Sequence, residues 1–451
     1  MKSSRFFRRT STLFVVILVI SMLLTGCGGK PAAGNESTPP ASSSSASAES
    51  SKAPSQPELK PVTITYMVFS TEAYDAYQKL DMPAYLKKYA PHITVEIEKV
   101  KDSGEFENAL KIRKAADELP DIMPMKPYML ANYKDALAPL NDLEVAKNNI
   151  FAEQFAIDGN ILGVPECMFN EFVWYSKSIL KEYNLSVPKT WDEFIQACKT
   201  IDAGGKYIPI LMGGKDAWPD YPFNEFMPCL EANDGYLWNH MAEQDSPFSP
   251  DQPFNKAYQK IKRLYDSKPF GSDPLGAGFD QVKTMFGTKG AMIAAGAWFL
   301  TDAKKYATDI NDIGTFFLPA RNNPGDRLNT VTMVDGFFAT PKNGKNIEAA
   351  KTFISFLFSE DFYLAYMKDR GLVSTVNNLK VELDPILQQA YDLEPDVNYV
   401  VYDGGNEEFQ RIAAAVRFDV KKMGQDMMAG KDLDEMMEEL NKAWKAARAS
   451  K

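Results

Sequence analysis

The order of buried segments between Val62 and Met125 constrains the fold more than any other feature of the chain. Val62-Thr63-Ile64-Thr65-Tyr66-Met67-Val68-Phe69 is β-branched and aromatic, the composition of a buried strand. Ser70 to Tyr89 carries helix formers, with Tyr74, Tyr77, Leu80, Tyr85 and Leu86 spaced for one face. After the Pro91-His92 turn, Ile93 to Val100 alternates apolar and polar residues and predicts a second strand. Phe106 to Leu119 is amphipathic at the helical period, and Pro120-Asp121-Ile122-Met123 enters a third short strand. Strand, helix, strand, helix, strand implies an α/β fold with a parallel sheet covered by helices. Ligands of such sheets sit beyond the carboxyl ends of the strands. Those ends make Phe69, Ser70, Lys126 and Tyr128 candidate ligand contacts.

The N-terminus is an address rather than structure. Lys2, Arg5, Arg8 and Arg9 precede an apolar run from Leu13 to Leu24, broken only by Ser21. That run is too short to span a bilayer, which needs roughly 20 residues, and fits a signal peptide over 1–26. Leu24-Thr25-Gly26-Cys27, followed by two glycines, places small residues before a cysteine. This is the pattern of a lipoprotein processing site, with Cys27 lipid-modified and made the new N-terminus; a diacyl group would give a stable membrane anchor. Residues 27–60 are rich in Ser, Ala, Pro and Gly and cannot bury enough surface to offset ordering entropy, so they read as a flexible tether.

Roughly 390 residues remain, which suits two lobes better than one domain. Loss of a leader carrying four positive charges takes the formal charge from −10 to −14, which argues against nucleic acid or anionic lipid as a partner. Cys167, Cys198 and Cys229 are an odd set and cannot all pair within the chain. Two histidines, His92 and His240, are too few and too far apart in sequence for the usual zinc clusters, and neither a metal nor a cofactor is expected. Further on, Phe172 to Tyr175 is a continuous apolar strand, and Thr190 with Glu193 has capping-box spacing. Asp216 to Pro253 is rich in Pro and aromatics without clear period. Thr315 to Pro319 reads as a strand. Asn346 to Phe358, Phe409 to Met423 and Leu433 to Ala447 read as helices.

Several segments, in order, carry a family likeness: Val62 to Thr65, Glu118 to Ile122, Ala138 to Leu143, Gly163-Val164-Pro165 and Tyr175-Ser176-Lys177. Val187-Pro188-Lys189-Thr190-Trp191-Asp192-Glu193-Phe194 is the most specific. Phe286 to Met292, Gly296-Ala297-Trp298, Asp335-Gly336-Phe337, Asn346 to Ser359 and Gly371-Leu372-Val373 complete the set. The chain resembles the extracellular solute-binding proteins, family 1, of carbohydrate ABC importers, the maltose-binding-protein-like group. It departs from the family at Ser176, where Asn is usual, and at Ala297, where Pro is frequent. The resemblance implies a two-lobed periplasmic-binding-protein-like α/β fold, each lobe a mainly parallel sheet flanked by helices. Lobe 1 would be 60–165 plus 338–372, and lobe 2 would be 166–337 plus 373–451. It further implies a monomer that closes over solute and docks on membrane permease subunits, with no bond made or broken.

A sugar site wants aromatic platforms and side chains for directed hydrogen bonds. Trp298 matches the family tryptophan that stacks on sugar, against the plain alternative of a core residue. Asp335 and Phe337 fall where the family places cleft residues, and Glu166 and Phe169 lie on the first crossing between lobes. Trp218, Tyr221 and Trp238 lie in the Pro-rich insertion, where an aromatic can as well pin a loop. Trp191 opens a helix and reads as core. A polyamine or peptide ligand, or a sensor role, would use the same fold. A glycoside hydrolase would need two facing carboxylates, which no motif singles out, and there is no Gly-x-Ser-x-Gly elbow for a serine hydrolase.

Overall fold

The computed structural model describes residues 59–450, so the leader, Cys27 and nearly all of the tether lie outside the described residues. The expected alternation is realised from Val62 onward. β1 (Val62–Val68) pairs in parallel with β2 (Ile93–Lys99), Val62 opposite Ile93 and Val68 opposite Lys99. The helix predicted between them is broken into α1 (Thr71–Lys79) and α2 (Met82–Tyr89). Asp81 makes the break in left-handed conformation at φ 53°, its side chain accepting from the Ala84 N–H, with Pro83 in the first turn of α2. α3 (Ser103–Ala116) buries Phe106 and Leu110 and leads to β3 (Met123–Met125). Ile122 bridges Tyr66 in parallel, which sets β3 beside β1. Lys126 then precedes α4 (Pro127–Tyr133), which has Pro127 in its first turn.

β4 (Val164–Ser176) is the longest strand among the described residues. Sequence reading found only its end, because Pro165, Glu166 and Asn170 interrupt the apolar pattern of the rest. Its later neighbours are β5 (Ile208–Ile210), β6 (Gly290–Gly296), β7 (Ile313–Phe316), β8 (Asn329–Ala339), β9 (Val373–Ser374) and β10 (Asn398–Tyr402). From Val164 to Asn170, β4 lies antiparallel to β8, with β9 along Cys167 and Met168. From Glu171 to Ser176 it lies antiparallel to β6 and β7. β8 is shared in the same way: its start pairs in parallel with β10 and its end antiparallel with β3. β5 and β6 are parallel. The antiparallel ladders are those made by β4 or β8, the two strands that pass between the two bodies of core.

One body packs helices Ile347–Leu357 and Glu360–Arg370 against α1, α2 and β1. The other surrounds the second half of β4 with helices Trp191–Ala203, Pro253–Asp266 and Leu433–Ala449. Thr190 caps its helix by accepting from the Glu193 N–H, while Glu193 reaches back to the Lys189 N–H rather than to Thr190. Trp191 is 1% exposed and donates to the Lys260 carbonyl, so it is core as expected. The aperiodic stretch after Asp216 consists of short pieces, Trp218–Asp220, Tyr221–Asn224, Met227–Ala232 and Leu237–Ala242, the first three with proline in the first turn. Helices this short show no period. Phe409 to Met423 is likewise two helices, Glu407–Val416 and Val420–Met428, separated at Arg417 with φ 55°. Cys167, Cys198 and Cys229 are free and buried. Among the described residues no helix is long and apolar enough to cross a membrane.

Candidate functional site

The two crossing strands bring charged side chains together. The ladder sets Cys167 on β4 opposite Asp335 on β8. Lys126, just past β3, reaches Asp335 Oδ2 at 2.5 Å, and the same Nζ lies 5.3 Å from the centre of the Phe69 ring. Asp335 Oδ1 is buried and has no hydrogen-bond partner in the chain. Glu166 lies next door. Gly336, at φ 71°, is in a conformation strained for any other residue, and a Cβ there would sit 2.4 Å from the Glu166 carboxylate and force it to shift. Tyr77 donates to Glu166 at 3.4 Å. Burial pushes the Glu166 carboxyl up to about 7, against the opposing pull of Arg370 and despite hydrogen bonds from Tyr366 and Tyr77.

An aromatic group stands on the other body. β6 ends at Gly296, and the short turn Ala297–Phe299 projects Trp298. Trp298 is half-buried, its ring centre 5.9 Å from Trp218 and 5.7 Å from Phe279. Trp218 is also half-buried and packs at 4.7 Å on Phe279. Gly296 permits this arrangement, since a Cβ there would sit 2.6 Å from Trp298 and 2.7 Å from Phe169. The Tyr221 hydroxyl accepts from Trp298 Nε1 and from the Gly296 N–H, each at 3.2 Å. It donates to the Glu171 carboxylate, both of whose oxygens are 2.8 Å away. Burial raises the Glu171 carboxyl to about 8, although the Tyr221 hydrogen bond pulls it down. Half-exposed rings next to hydrogen-bonding acids can bind a ligand that has both an apolar face and hydroxyls.

The model of the bacterial extracellular solute-binding protein family matches residues 70–362. The chain belongs to this family. Among relatives of this solute-binding protein, the multiple sugar-binding protein of Streptococcus mutans is 24% identical over 373 residues, spanning 78% of this chain and 84% of the relative. Among solved structures, RafE in complex with raffinose superposes with a TM-score of 0.70 at 22% identity, over 86% of this chain and 100% of that one. A manno-oligosaccharide specific binding protein of Bifidobacterium animalis subsp. lactis, in complex with mannotriose, gives 0.72 at 21% identity, over 87% and 96%. The solute-binding protein therefore has the two-lobed fold of these structures, as the sequence resemblance implied.

Its candidate residues divide into two sets. Phe69, Lys126, Asp335 and Glu166 gather at the crossing strands, and Trp218, Trp298 and Tyr221 gather beyond β6. Phe169 is 5% exposed and packs under Gly296. Phe337 and Trp238, expected as ligand contacts, are instead core. Phe337 is 0% exposed and its ring centre is 4.9 Å from Phe155. Trp238 is 2% exposed, stacks on Phe409 and donates to the Tyr402 hydroxyl. A side chain packed in this way on all sides offers no surface to a ligand. Ser70 is occupied as a helix cap, accepting from the Ala73 N–H and donating to Glu72. Tyr128 turns to Glu107 and lines a separate groove of about 270 Å³ on α3 and α4. Tyr221 holds the platform from behind, at 9% exposure.

Sequence reasoning missed Glu171, Tyr77 and Arg370. Glu171 left a signal: it is an acid at the threshold of the fully buried run Phe172 to Tyr175, and a buried acid needs a partner. Tyr77 and Arg370 left none, because each lies within an ordinary helical pattern. Among the contacts between the two bodies is an ion cluster at Lys283. Lys283, bonded to Asp280 at 2.9 Å and Asp302 at 3.0 Å, is 4.0 Å from Glu72 on α1.

Proposed function

We propose that this solute-binding protein captures a sugar or oligosaccharide in the cleft between its lobes and delivers it to the permease of an ABC importer. The observation that carries the reading is the pair of half-exposed tryptophans, Trp218 and Trp298, beside acids on the two crossing strands. Rings of this kind stack on the C–H face of a pyranose, and Asp335, Glu166 and Lys126 would take its hydroxyls. The sugar-binding relatives support the ligand class. Lobe 1 (60–165 plus 338–372) and lobe 2 (166–337 plus 373–451) would rotate about β4, β8 and the segment at Val373. Ligand would shift the open–closed equilibrium by binding the closed state better. No bond is broken in this reading, and the protein acts as a monomer. The leader and Cys27 would place it, lipid-anchored, on the outer face of the cell membrane.

A thermal-shift titration of the mature chain tests this, with raffinose, mannotriose, spermidine and a short peptide in parallel. Saturation at 100 times the dissociation constant adds about 2.7 kcal/mol. A rise in Tm with a sugar that stays intact is the expected result. A rise with spermidine or peptide alone would overturn the carbohydrate assignment, and consumption of the sugar would overturn the non-catalytic one. Membrane attachment that survives Cys27→Ser would refute the anchor.

A further inference from the structure

We propose that Glu171 is a positioning residue for ligand binding: through the Tyr221 hydroxyl it fixes Trp298 so that only the face of the indole is offered to solute. The inference rests on the reading of Trp298 as a ligand platform. A tyrosine hydroxyl has one proton to give and two lone pairs. Two N–H groups, from Gly296 and Trp298, already point at the Tyr221 oxygen, and neither can reverse its role. The hydroxyl proton is therefore directed to Glu171. The hydrogen-bonding capacity of that oxygen is then complete. With Glu171 at 5% exposure and Tyr221 at 9%, bulk water is not at hand to replace a lost partner.

The arrangement has a consequence for specificity. The indole N–H is the only polar hydrogen of the Trp298 side chain, and it is used inside the protein. Trp298 can then reward a flat, apolar ligand face and can make no hydrogen bond to a hydroxyl. Directed bonds must come from the other half of the site, at Lys126, Asp335 and Glu166. Glu171 reaches this geometry from β4, one of the strands that pass between the two bodies. The platform is thereby indexed to the crossing strand rather than to the loop that carries the tryptophan.

The chain provides its own reporter. Trp174, Trp191, Trp238 and Trp444 are at most 2% exposed, so an aqueous quencher reaches Trp218 and Trp298. In full-length protein carrying Trp218→Phe, iodide quenching reads Trp298 without any ligand. Tyr221→Phe and Glu171→Leu are each expected to steepen the quenching and to weaken binding of raffinose or mannotriose about tenfold, the scale of one lost buried hydrogen bond. Glu171→Gln, whose amide oxygen still accepts, restores both. The double variant Tyr221→Phe/Glu171→Leu is no worse than Tyr221→Phe alone, because the two residues act in series. Unchanged quenching in a folded Glu171→Leu chain, or additive losses in the double variant, would overturn the relay. Glu171→Met takes the place of Glu171→Leu if the latter does not fold. If neither sugar binds the parent chain, the quenching series still decides the relay while the sugar assignment falls. If sugars bind and quenching never moves, the relay falls alone.

Discussion

The two halves of the candidate site are built on opposite principles. On the aromatic side, every polar atom that holds Trp298 has a partner: the indole N–H, the Gly296 N–H and the Tyr221 hydroxyl close on Glu171. On the charged side, partners run short. Asp335 bonds Lys126 through one oxygen and leaves the other buried and unpaired, while Glu166, desolvated by burial, is held by Tyr366 and by a long 3.4 Å bond from Tyr77. A satisfied group is rigid and presents shape, whereas an unsatisfied one gains most from a ligand hydroxyl. Under the proposed function, the contrast predicts that affinity rests chiefly on the rings and orientation on the acids.

Replacement of Trp298 tests this division most sharply. Trp298→Ala removes the ring while leaving the cores intact, and we expect ligand affinity to fall by about 2–4 kcal/mol, the scale of a buried aromatic anchor. The Tm of the unliganded chain should change little. Isothermal titration with whichever sugar stabilises the parent chain measures it. Unchanged affinity would move the platform elsewhere and dissolve the contrast.

The second effect is on stability. Glu166 at about 7 and Glu171 at about 8 both lie above the carboxylate value of 4.5. Between pH 4.5 and about 8 the folded chain therefore holds protons at these two groups that the unfolded chain has released. Their contribution is greatest below pH 4.5 and is lost as pH rises through 7 and 8. We expect the unfolding free energy to fall from pH 5.5 to 8.5 by a few kcal/mol, read as a lower Tm. Glu171→Gln, which does not titrate, should flatten the slope. A Tm that rises over this range in the parent chain and is unaltered in Glu171→Gln would show that these acids are not desolvated.

The fold was legible because its signals are local. Val62 to Val68 is β-branched, Thr190 and Glu193 mark a helix start, and Asn346 to Phe358 keeps a helical period. The candidate site was legible only where a type of residue stands out. Trp298 and Asp335 could be picked from family-like segments, whereas nothing in the sequence distinguishes half-buried Trp218 from buried Trp238, which lies in the same Pro-rich insertion. Phe337 was misplaced for a related reason. Strand alternation sends Asp335 and Phe337 to the same face, but β8 bends at Gly336, and Phe337 enters the core with Phe155. Partners from far along the chain, such as Tyr221 for Glu171 at a separation of 50 residues, have no local signature.

A smaller effect is expected on the charged side. Lys126→Met keeps the length of the side chain and removes the counter-charge of Asp335, leaving both carboxylate oxygens to seek other donors. The pair is partly solvated, at 22% and 16% side-chain exposure, so the loss in affinity should be about 1–2 kcal/mol. If acids orient and rings bind, this variant should broaden the range of sugars accepted more than it weakens any one of them. Equal weakening of all sugars, as large as that from Trp298→Ala, would place Asp335 and Lys126 with the affinity group.

The smallest effect concerns one of the ion pairs between the two bodies. Glu72 is 4.0 Å from Lys283, whose ammonium is already held by Asp280 and Asp302 at 2.9 and 3.0 Å. Glu72 itself has a second partner in Ser70 at 3.0 Å. Glu72→Gln therefore leaves no orphaned charge on either side, and the long Glu72–Lys283 separation contributes little once the nearer pairs are made. Affinity should fall by no more than about 1 kcal/mol, and 0.5 M salt should remove most of the difference. A loss as large as that of Trp298→Ala would mean that charge across the cleft, rather than the ligand bridging rings and acids, holds the two bodies together, and the contrast between the halves would then describe ligand orientation alone.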